Sequence, residues 1–431
     1  MAGKFGTFLF LTLLALGAEA KVTPKLLGHF RAPHAAFVGI SRNKHHSDVK
    51  DQYSLMVAGF NAIPFSSDFV YQVQKVGRHL SDVSSIHPTV VTSKITWPNE
   101  VDSVSESIFH KEMISVAGGF LVPMKTHGSI ALYDTSSNPP KGPYYITNNH
   151  GADSSWFYHR IAWKDMDGDG DLDVLTARAQ KPILGGAKGQ LLWFENPGKQ
   201  MPAQFANPWT SHIIASGPDV YFRAVTLSTP SGDFDAIITA GFFSERIDIF
   251  WTTEPSKKWT VSSQLHFRTI EKRIGAVFDV ELADMNNDGK KDLLVTTNKQ
   301  SNAAIYVYEF PDDFRTGTFK QHILASGFHA RFNLFGRSGA LGSAYAIHEP
   351  ISSKKRPIII MSGDDDGNAY ILESESESHT NWKYTTTAFL GTGSDTVGEI
   401  AYADVDGDGH TELFVPDYNK GLVYIYSLTS T

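Results

Sequence analysis

Cysteine is absent from this 431-residue sequence, which excludes disulfide bonds and any metal or redox site built on thiolates. No Asn-x-Ser/Thr sequon with x other than proline occurs, so N-glycosylation is not expected. The sequence also lacks a nucleophile elbow, a phosphate-binding loop, a zinc signature and a dinucleotide fingerprint. Hydrolase and kinase chemistry therefore have little support, and the formal net charge of -8 argues against nucleic acid as a partner.

Long apolar runs are also scarce. An apolar run from residue 5 to residue 16 follows Lys4, and the small-x-small stretch Ala18-Glu19-Ala20 comes after it. The run is shorter than the roughly 18 residues of a membrane span, and nothing later in the chain approaches that length. We predict that residues 1–20 are a secretory signal peptide and that the mature chain is secreted, extracellular and without a membrane span.

Negative charge, in contrast, is concentrated in three related stretches. They read DMDGDGDLDVLT from residue 165, DMNNDGKKDLLV from residue 284 and DVDGDGHTELFV from residue 404. Each copy has oxygen-bearing side chains at positions 1, 3, 5 and 9, Gly at position 6, and then a strand-like segment. An EF-hand loop requires Glu at position 12, where these copies have Thr176, Val295 and Val415. The pattern is therefore a shorter loop, closed by the carboxylate at position 9.

The oxygen pattern of these loops predicts three calcium sites of mainly structural role. Alternate carboxylates on one turn can converge on a Ca²⁺ ion, which takes six to eight oxygen ligands, and without a cation they would repel one another. The alternative is that Asp and Gly occur here only as turn formers. The predicted ligands, including a position-7 residue that offers its backbone carbonyl, are Asp165, Asp167, Asp169, Asp171 and Asp173; Asp284, Asn286, Asp288, Lys290 and Asp292; and Asp404, Asp406, Asp408, His410 and Glu412.

The spacing between the acidic loops contains a second, shorter repeat of about half that length. Strand-like segments recur near residues 57, 116, 175, 237, 294, 359 and 414, and an aromatic-rich strand follows each of them. Four short strands per unit without helical periodicity predict an all-β, seven-bladed β-propeller of four-stranded blades, as a single domain over residues 21–431. The last unit lacks its outer strand, and residues 24–31 resemble residues 322–329, so we predict that the N-terminal strand closes the last blade. Blades 1, 2, 4 and 6 lack the full loop, and Asp233 and Asp235 of blade 4 are expected to form a solvated turn.

The loop pattern D-x-D-x-D-G-x-x-D before an apolar strand resembles the FG-GAP/VCBS repeats of integrin-alpha-type propellers. The stretch LLWFENP followed by WTSHII is similar to secreted microbial and fungal propellers, among them the propeller part of aldos-2-ulose dehydratase and calcium-loaded lectins. The resemblance covers the mature chain at the level of the repeat. It implies a calcium-binding fold that carries lectins, adhesion heads, lyases and inert scaffolds, so it does not select one function.

Ligands of propellers are expected at the channel mouth, where the chain enters the inner strands. The residues expected there would suit a glycan or an anionic sugar, because Arg grips carboxylates and aromatic rings stack on sugars. The alternative is that each Arg pairs with an acidic neighbour and each His is satisfied locally. The candidate ligand-binding residues are Arg160, Arg223, Tyr221, His29, Arg31, His34, His329, Arg331, Asp279, Glu281 and Glu399.

Two hypotheses for function follow. The favoured one is a calcium-stabilised binding protein that recognises carbohydrate or a matrix partner through its face or between its blades. The other, implied by the resemblance to lyase-like relatives, is elimination from a sugar or uronic acid, with His159 or Tyr158 as general base and Arg160 and Arg223 holding the anion.

Overall fold

The structure, a computed structural model, describes residues 21–63, 65–120, 125, 127–149, 151–180, 186–331, 338–350, 352, 355–393 and 395–430. It confirms the predicted fold, because seven antiparallel sheets of four strands each form a seven-bladed β-propeller. The proposed signal peptide lies outside the described residues. Within the described part of the chain, no helix is long and apolar enough to cross a membrane.

Each of blades 1 to 6 takes four consecutive strands, the first lining the central channel and the fourth lying at the rim. Blades 1 to 3 comprise β2 Ala35–Arg42, β3 Tyr53–Gly59, β4 Phe69–Val73 and β5 Thr89–Thr92; β6 Pro98–Val104, β7 Met113–Gly118, β8 Ile130–Asp134 and β9 Lys141–Tyr145; and β10 Phe157–Lys164, β11 Asp173–Gln180, β12 Lys188–Glu195 and β13 Thr210–Ser216. Blades 4 to 6 comprise β14 Tyr221–Thr229, β15 Gly232–Ala240, β16 Arg246–Thr252 and β17 Leu265–Lys272; β18 Ala276–Ala283, β19 Asp292–Asn298, β20 Ala303–Glu309 and β21 Lys320–Phe328; and β22 Ala344–Ile347, β23 Ile358–Ser362, β24 Asn368–Ser374 and β25 Tyr384–Gly391.

Blade 7 is built from both ends of the described chain. Its strands are β26 Ala401–Ala403, β27 Glu412–Asp417, β28 Leu422–Ser430 and β1 Val22–Arg31, and β1 pairs antiparallel with β28. This pairing confirms the predicted closure, and it covers an edge that would otherwise offer unpaired backbone groups to another chain.

Helical segments are short. They are the α-helices α1 Val49–Gln52 and α2 Glu106–Phe109, and the 3₁₀ helices Val76–Arg78, Val83–Ser85, Ala152–Ser155, Ala203–Phe205 and Ser262–Gln264.

The core lies between neighbouring blades, because the second and third strands of each blade are covered on both faces. Leu175 and Trp193 of blade 3, for example, pack with Phe222 and Ile237 of blade 4, and all four side chains are buried. This explains why these strands appear in the sequence as short continuous apolar runs instead of alternating patterns.

A register shift recurs between the third and outer strands of all seven blades. In six of them one apolar residue has no partner on the third strand, and these residues are Leu27, Val91, Ile214, Ile270, Leu324 and Phe389. A bulge places two consecutive side chains differently from a regular strand. At the bulge in blade 5, Leu324 is buried while Ile323, the residue before it, is 55% exposed.

Candidate functional sites

The three acidic loops join the inner strand to the second strand of blades 3, 5 and 7, all on one face of the ring. The carboxylate at position 1 organises each loop by accepting two backbone hydrogen bonds. Asp165 accepts from Gly168 and Gly170 at 2.6 and 3.1 Å, and Asp404 accepts from Gly407 and Gly409 at 2.7 and 3.1 Å. In blade 5 the donors to Asp284 are the N–H groups of Asp288 and Gly289, at 3.0 and 2.8 Å. The loops are therefore compact turns.

The carboxylate at position 9 closes each loop from the start of the second strand. In blade 3 the Asp173 Oδ2 accepts from the Met166 N–H at 2.8 Å, and its Oδ1 accepts from the Asn196 N–H at 2.8 Å. Asp292 and Glu412 accept in the same way from the residue at position 2, at 3.0 and 3.1 Å. Burial raises the pKa of these carboxyls, to about 6 for Asp173, about 7 for Asp292 and about 8 for Glu412. Burial thus disfavours the charged form of the carboxyl at position 9 unless a cation compensates it.

Positions 1, 3 and 9 come close enough together to share one cation in two of the loops. The carboxylate oxygens of Asp165, Asp167 and Asp173 lie within 4.8 Å of one another, and so do those of Asp404, Asp406 and Glu412. This spacing fits an ion with oxygen ligands at about 2.3 to 2.6 Å. In blade 5 position 3 is an amide, whose Asn286 Nδ2 donates to Asp288 at 3.1 Å.

The remaining predicted ligands are placed less directly. Asp169 and Asp408, at position 5, accept hydrogen bonds from the N–H of the residue two further on, at 2.9 and 2.8 Å. Those donors, Asp171 and His410, and the third position-7 residue, Lys290, were predicted to offer backbone carbonyls. The Lys290 side chain points to Asp312, with the Nζ 2.7 Å from its carboxylate. In blade 7 the Lys50 ammonium lies 3.8 Å from Asp406 and offsets part of the charge there.

Each acidic loop also contacts the next blade. The carbonyl of Met166, at position 2 in blade 3, accepts from the Trp259 N–H of blade 4 at 2.8 Å. The carbonyl of Met285 accepts from Arg356 at 2.8 Å and from Tyr384 at 3.1 Å, both in blade 6. The carbonyl of Val405 lies against Gly77 of blade 1, where an added Cβ would come within 2.1 Å of it. A cation held in these loops would therefore order contacts between blades.

The central channel brings together a second set of predicted residues. Inner-strand bulges lie at Tyr158/Ile161 in blade 3 and at Pro98/Val101 in blade 2, and they contain Arg160 and Glu100. Arg160 is 5% exposed and reaches across the channel. Its guanidinium lies 2.8 Å from Glu100, 3.5 Å from Asp279 and 3.5 Å from Glu399. The alternative in which each Arg pairs with an acidic neighbour therefore holds for Arg160.

A second layer follows two residues further along the inner strands, because alternate residues of a strand share a face. Arg223 donates to the Val280 carbonyl at 2.9 Å and lies 3.7 Å from Asp279. Burial raises the pKa of Glu281 to about 7, and Arg223 opposes that shift. Burial raises the pKa of Glu100 to about 7 as well, against the opposing charge of Arg160.

The two catalytic candidates are placed unfavourably for proton transfer. His159 is 6% exposed between the rings of Phe37 and Tyr221, and burial followed by the charge of Arg160 lowers its pKa to about 3. Tyr158 is fully buried between blades, its hydroxyl accepts from Arg178 at 3.3 Å, and burial raises its pKa. Neither side chain lies open to a substrate, so the geometry gives the lyase hypothesis no support.

Other predicted ligand residues lie away from the channel. His29 and Arg31 belong to β1, the outermost strand of blade 7, which corrects the expectation that they face the channel mouth. His34, before β2, lies against the ring of Tyr418, with its Nε2 3.2 Å from the Asn61 amide. His329 and Arg331 follow the outer strand of blade 5 and are exposed, and the Arg331 N–H donates to the Asp365 carbonyl at 2.7 Å. These residues do not form one cluster.

A pocket of about 610 Å³ lies between blades 3 and 4, on the face opposite the acidic loops. Trp156 and Phe243 contribute half-buried rings, and the Arg178 guanidinium lies 4.5 Å from the centroid of the Trp156 ring. The pocket is lined by Trp156, Gln180, Ala187, Lys188, Gly189, Gln190, Ser216, Gly217, Asp219, Phe243, Ser244 and Arg246. Its volume is within the range of small-molecule sites.

Hydrogen bonds and an ion pair within the pocket wall fix the positions of its polar groups. Asp219 accepts from the N–H groups of Phe242, Phe243 and Ser244 at 2.6, 3.2 and 3.0 Å, which fixes the loop carrying the Phe243 ring. Burial raises the pKa of Asp219 to about 6, although these hydrogen bonds oppose the shift. Arg246 lies 2.6 Å from Asp248 and covers Gly217, where an added Cβ would come within 2.7 Å of its Nη2.

Sequence reasoning missed several residues of both sites. Glu100 and Asp102 of the channel are two residues apart in β6, and Asp279 and Glu281 repeat that spacing in β18. This alternation of acidic residues on inner strands is a signal that the sequence offered. The pocket residues Lys188 and Arg246 carried no such signal, because they meet only when blades 3 and 4 pack together.

Comparisons with known proteins identify no family for this chain. No protein-family model matches the chain, and no curated protein matches its sequence. Among solved structures, the Dos1 propeller is similar at 11% identity with a TM-score of 0.47, over 94% of this chain and 95% of that chain. Raptor of Chaetomium thermophilum is similar at 11% identity with a TM-score of 0.49, over 95% and 29% of the two chains. The soluble aldose sugar dehydrogenase of Escherichia coli, in its apo-form, is similar at 7% identity with a TM-score of 0.43, over 79% and 98%. These values carry no argument about ligand or activity, and the likeness to FG-GAP/VCBS repeats stays a prediction.

Proposed function

We propose that this protein is an exported, calcium-stabilised β-propeller that binds an acidic carbohydrate in the pocket between blades 3 and 4. The observation that carries the binding proposal is the composition of that pocket, which combines aromatic rings with two cations. A sugar presents a C–H face that packs on an aromatic ring, and Trp156 and Phe243 supply such rings. The proposal of calcium rests on the oxygen clusters of the acidic loops, two of which bring three carboxylate oxygens within 4.8 Å of one another.

The charges in the pocket favour an acidic sugar over a neutral one. Lys188 is exposed and Arg246 is partly exposed, whereas the carboxylate of Asp219 is buried and engaged by three N–H groups. A carboxylate on the ligand would therefore meet Lys188, the Arg246 guanidinium whose charge Asp248 offsets in part, and one shielded anion. The channel is the weaker candidate for such a ligand, because its carboxylates outnumber its guanidinium groups.

The test is a glycan array probed with the calcium-loaded protein, followed by titration of the best ligand. We expect uronate-containing glycans to bind. Trp156→Ala removes a stacking ring and Arg246→Gln removes a cation, so each should weaken binding about tenfold, which corresponds to a loss of about 1.4 kcal/mol. Binding that weakens with salt would agree with a charged contact.

Two variants serve as matched controls, Phe267→Ala on the outer strand of blade 4 and Arg31→Gln on that of blade 7. Neither should change binding, because Phe267 is 63% exposed at the rim and Arg31 lies on β1. Equal loss in pocket and control variants, or selection of neutral glycans only, contradicts the proposal. Release of an unsaturated product from a bound glycan would favour the lyase hypothesis instead.

A further inference from the structure

The central channel contains more negative than positive side chains. Five carboxylates face two guanidinium groups there: Glu100, Asp102, Asp279, Glu281 and Glu399 against Arg160 and Arg223. Asp102 keeps contact with solvent although it lies deep among protein atoms, so the channel is open to ions from its side. An anion would add to the existing repulsion, whereas a cation would relieve it.

Three buried polar atoms around this cluster have no hydrogen-bond partner among the described residues. They are the hydroxyl of Tyr221, which is 1% exposed, the Oδ2 of Asp279, which is 2% exposed, and the Nδ1 of His159, which is 6% exposed. The Tyr221 ring carries the Arg160 guanidinium at 4.4 Å, and its hydroxyl lies near the charges of Glu399 and Asp279. Buried polar groups nearly always have partners, and a carboxylate oxygen can only accept, so Asp279 indicates an additional hydrogen-bond donor in the channel, from which the Tyr221 hydroxyl can also accept.

We propose that the channel holds a small hydrogen-bond-donating cation, either an ammonium group or a hydrated metal ion, between Asp279, Tyr221 and Glu281. Direct chelation of a bare metal ion fits less well. Among the described residues, groups of three acidic oxygens within 4.8 Å of one another occur in two acidic loops and not in the channel. An ammonium group or a hydrated metal ion has a larger effective radius than a bare metal ion, so it fits carboxylates that lie further apart. This inference is independent of the proposed carbohydrate pocket.

The experiment is calorimetric titration of the calcium-saturated protein with methylammonium, putrescine and magnesium chlorides. We expect one site per chain for at least one of these cations, and at least fivefold weaker binding in Tyr221→Phe and Glu281→Gln. Tyr221→Phe keeps the ring under Arg160 and removes only the unpartnered hydroxyl. The controls Tyr306→Phe and Glu271→Gln alter the same residue types on other strands, outside the channel, and should bind as the natural chain does.

Affinity should also rise between pH 6 and 8, because the cation competes with protons on the acidic groups of the channel. The groups facing that site from the packed inner strands are Glu100, Asp102, His159, Arg160, Tyr221, Arg223, Asp279, Glu281, Tyr345, Glu399 and Tyr402.

A crystal soaked in thallium(I), which mimics an ammonium ion, gives a second measurement that needs no variant. An anomalous peak beside Asp279 supports the proposal. The absence of one-to-one binding for all three cations, or unchanged affinity in both channel variants, would overturn it, and water alone at the site in the soaked crystal would overturn an ammonium site. Binding of amines and not magnesium identifies an ammonium site, and the reverse identifies a hydrated metal ion.

Discussion

Blades 3 and 4 place a buried carboxylate at the same position of their second strand and neutralise it in different ways. Asp235 of blade 4 is 4% exposed, and the Lys164 ammonium lies 2.6 Å from its Oδ2. Asp173 of blade 3 is 1% exposed and is bonded to two backbone N–H groups, with no ammonium or guanidinium group within ion-pair distance of it in the described residues. The comparison indicates that a lysine neutralises the buried carboxylate in blade 4, whereas we propose that a calcium ion neutralises it in blade 3.

The same comparison corrects one expectation. Asp233 is exposed, as a solvated turn requires, but Asp235 is buried and ion-paired, so the predicted solvated turn is wrong for Asp235. The Trp259 indole N–H also lies 3.4 Å from Asp235. Because the same Trp259 bonds the acidic loop of blade 3 through its backbone, the lysine-neutralised and loop-bearing positions lie at one blade interface.

The largest expected effect is that of chelation. Removing calcium should lower the Tm by roughly 10 °C or more, since each ion bound at 100 times its Kd adds about 2.7 kcal/mol. Scanning calorimetry with calcium and with excess EDTA measures this. A Tm that is the same in both buffers would contradict calcium as the stabilising ion.

Loss of the lysine in blade 4 should have the next largest effect. Lys164→Met leaves the Asp235 carboxylate buried without its cation, and we expect a loss of about 2 to 3 kcal/mol in the free energy of unfolding, discounted because Lys164 is partly exposed. Urea denaturation should show the same loss with and without EDTA. Adding Asp235→Asn to this variant should recover most of the loss. Failure to recover it would show that the loss does not come from an unpaired Asp235 carboxylate.

A smaller effect is expected from the equivalent change in blade 3. Asp173→Asn keeps the side-chain shape and removes one charge, so calcium affinity at that loop should fall about tenfold, because the number of charged ligands tunes such sites. The destabilisation should be larger in calcium buffer than in EDTA, where only the loss of one of the two backbone hydrogen bonds to Asp173 remains. Asp235→Asn is the matched control, and an equal loss of calcium affinity in both variants would erase the distinction between the two blades.

The smallest effect concerns pH and the channel, which has carboxylates with raised pKa and no acidic loop. The pKa of Glu100 and of Glu281 is about 7 in the folded chain, above the ordinary value of 4.5. Their contribution to the free energy of unfolding is therefore fully present below pH 4.5. It is lost as the pH rises through 7. From pH 6 to 8 we expect a loss of about 1 kcal/mol for each carboxyl. Glu281→Gln should flatten this slope in urea denaturation, and an unchanged slope would mean that Glu281 does not titrate in this range.

Much of the fold could be predicted from the sequence, and the reasons are local. The seven strand-like segments and the repeat of residues 322–329 in residues 24–31 gave the blade count and the closure, because each blade depends on short-range patterns. The outer-strand bulges at residues such as Ile214 had no local signal. They change which of two adjacent apolar residues is buried, and that depends on the neighbouring blade.

The sites were only partly predictable for the same reason. Positions 1, 3 and 9 of the acidic loops are close in sequence, and two loops bring them together in space. The contacts of Arg160 with Glu100, Asp279 and Glu399 span three other blades, and the ring geometry decides them. The lysine that neutralises Asp235 comes from the preceding blade, which no spacing within blade 4 could reveal.

The most direct test of the account is the number of calcium ions bound per chain, measured by equilibrium dialysis and elemental analysis. We expect three ions in the natural chain, with Asp235→Asn binding three and a variant carrying both Asp165→Ala and Asp173→Asn binding two. A natural chain that binds no calcium, or the same count in the loop variant as in the natural chain, would contradict calcium as the ion that the acidic loops hold.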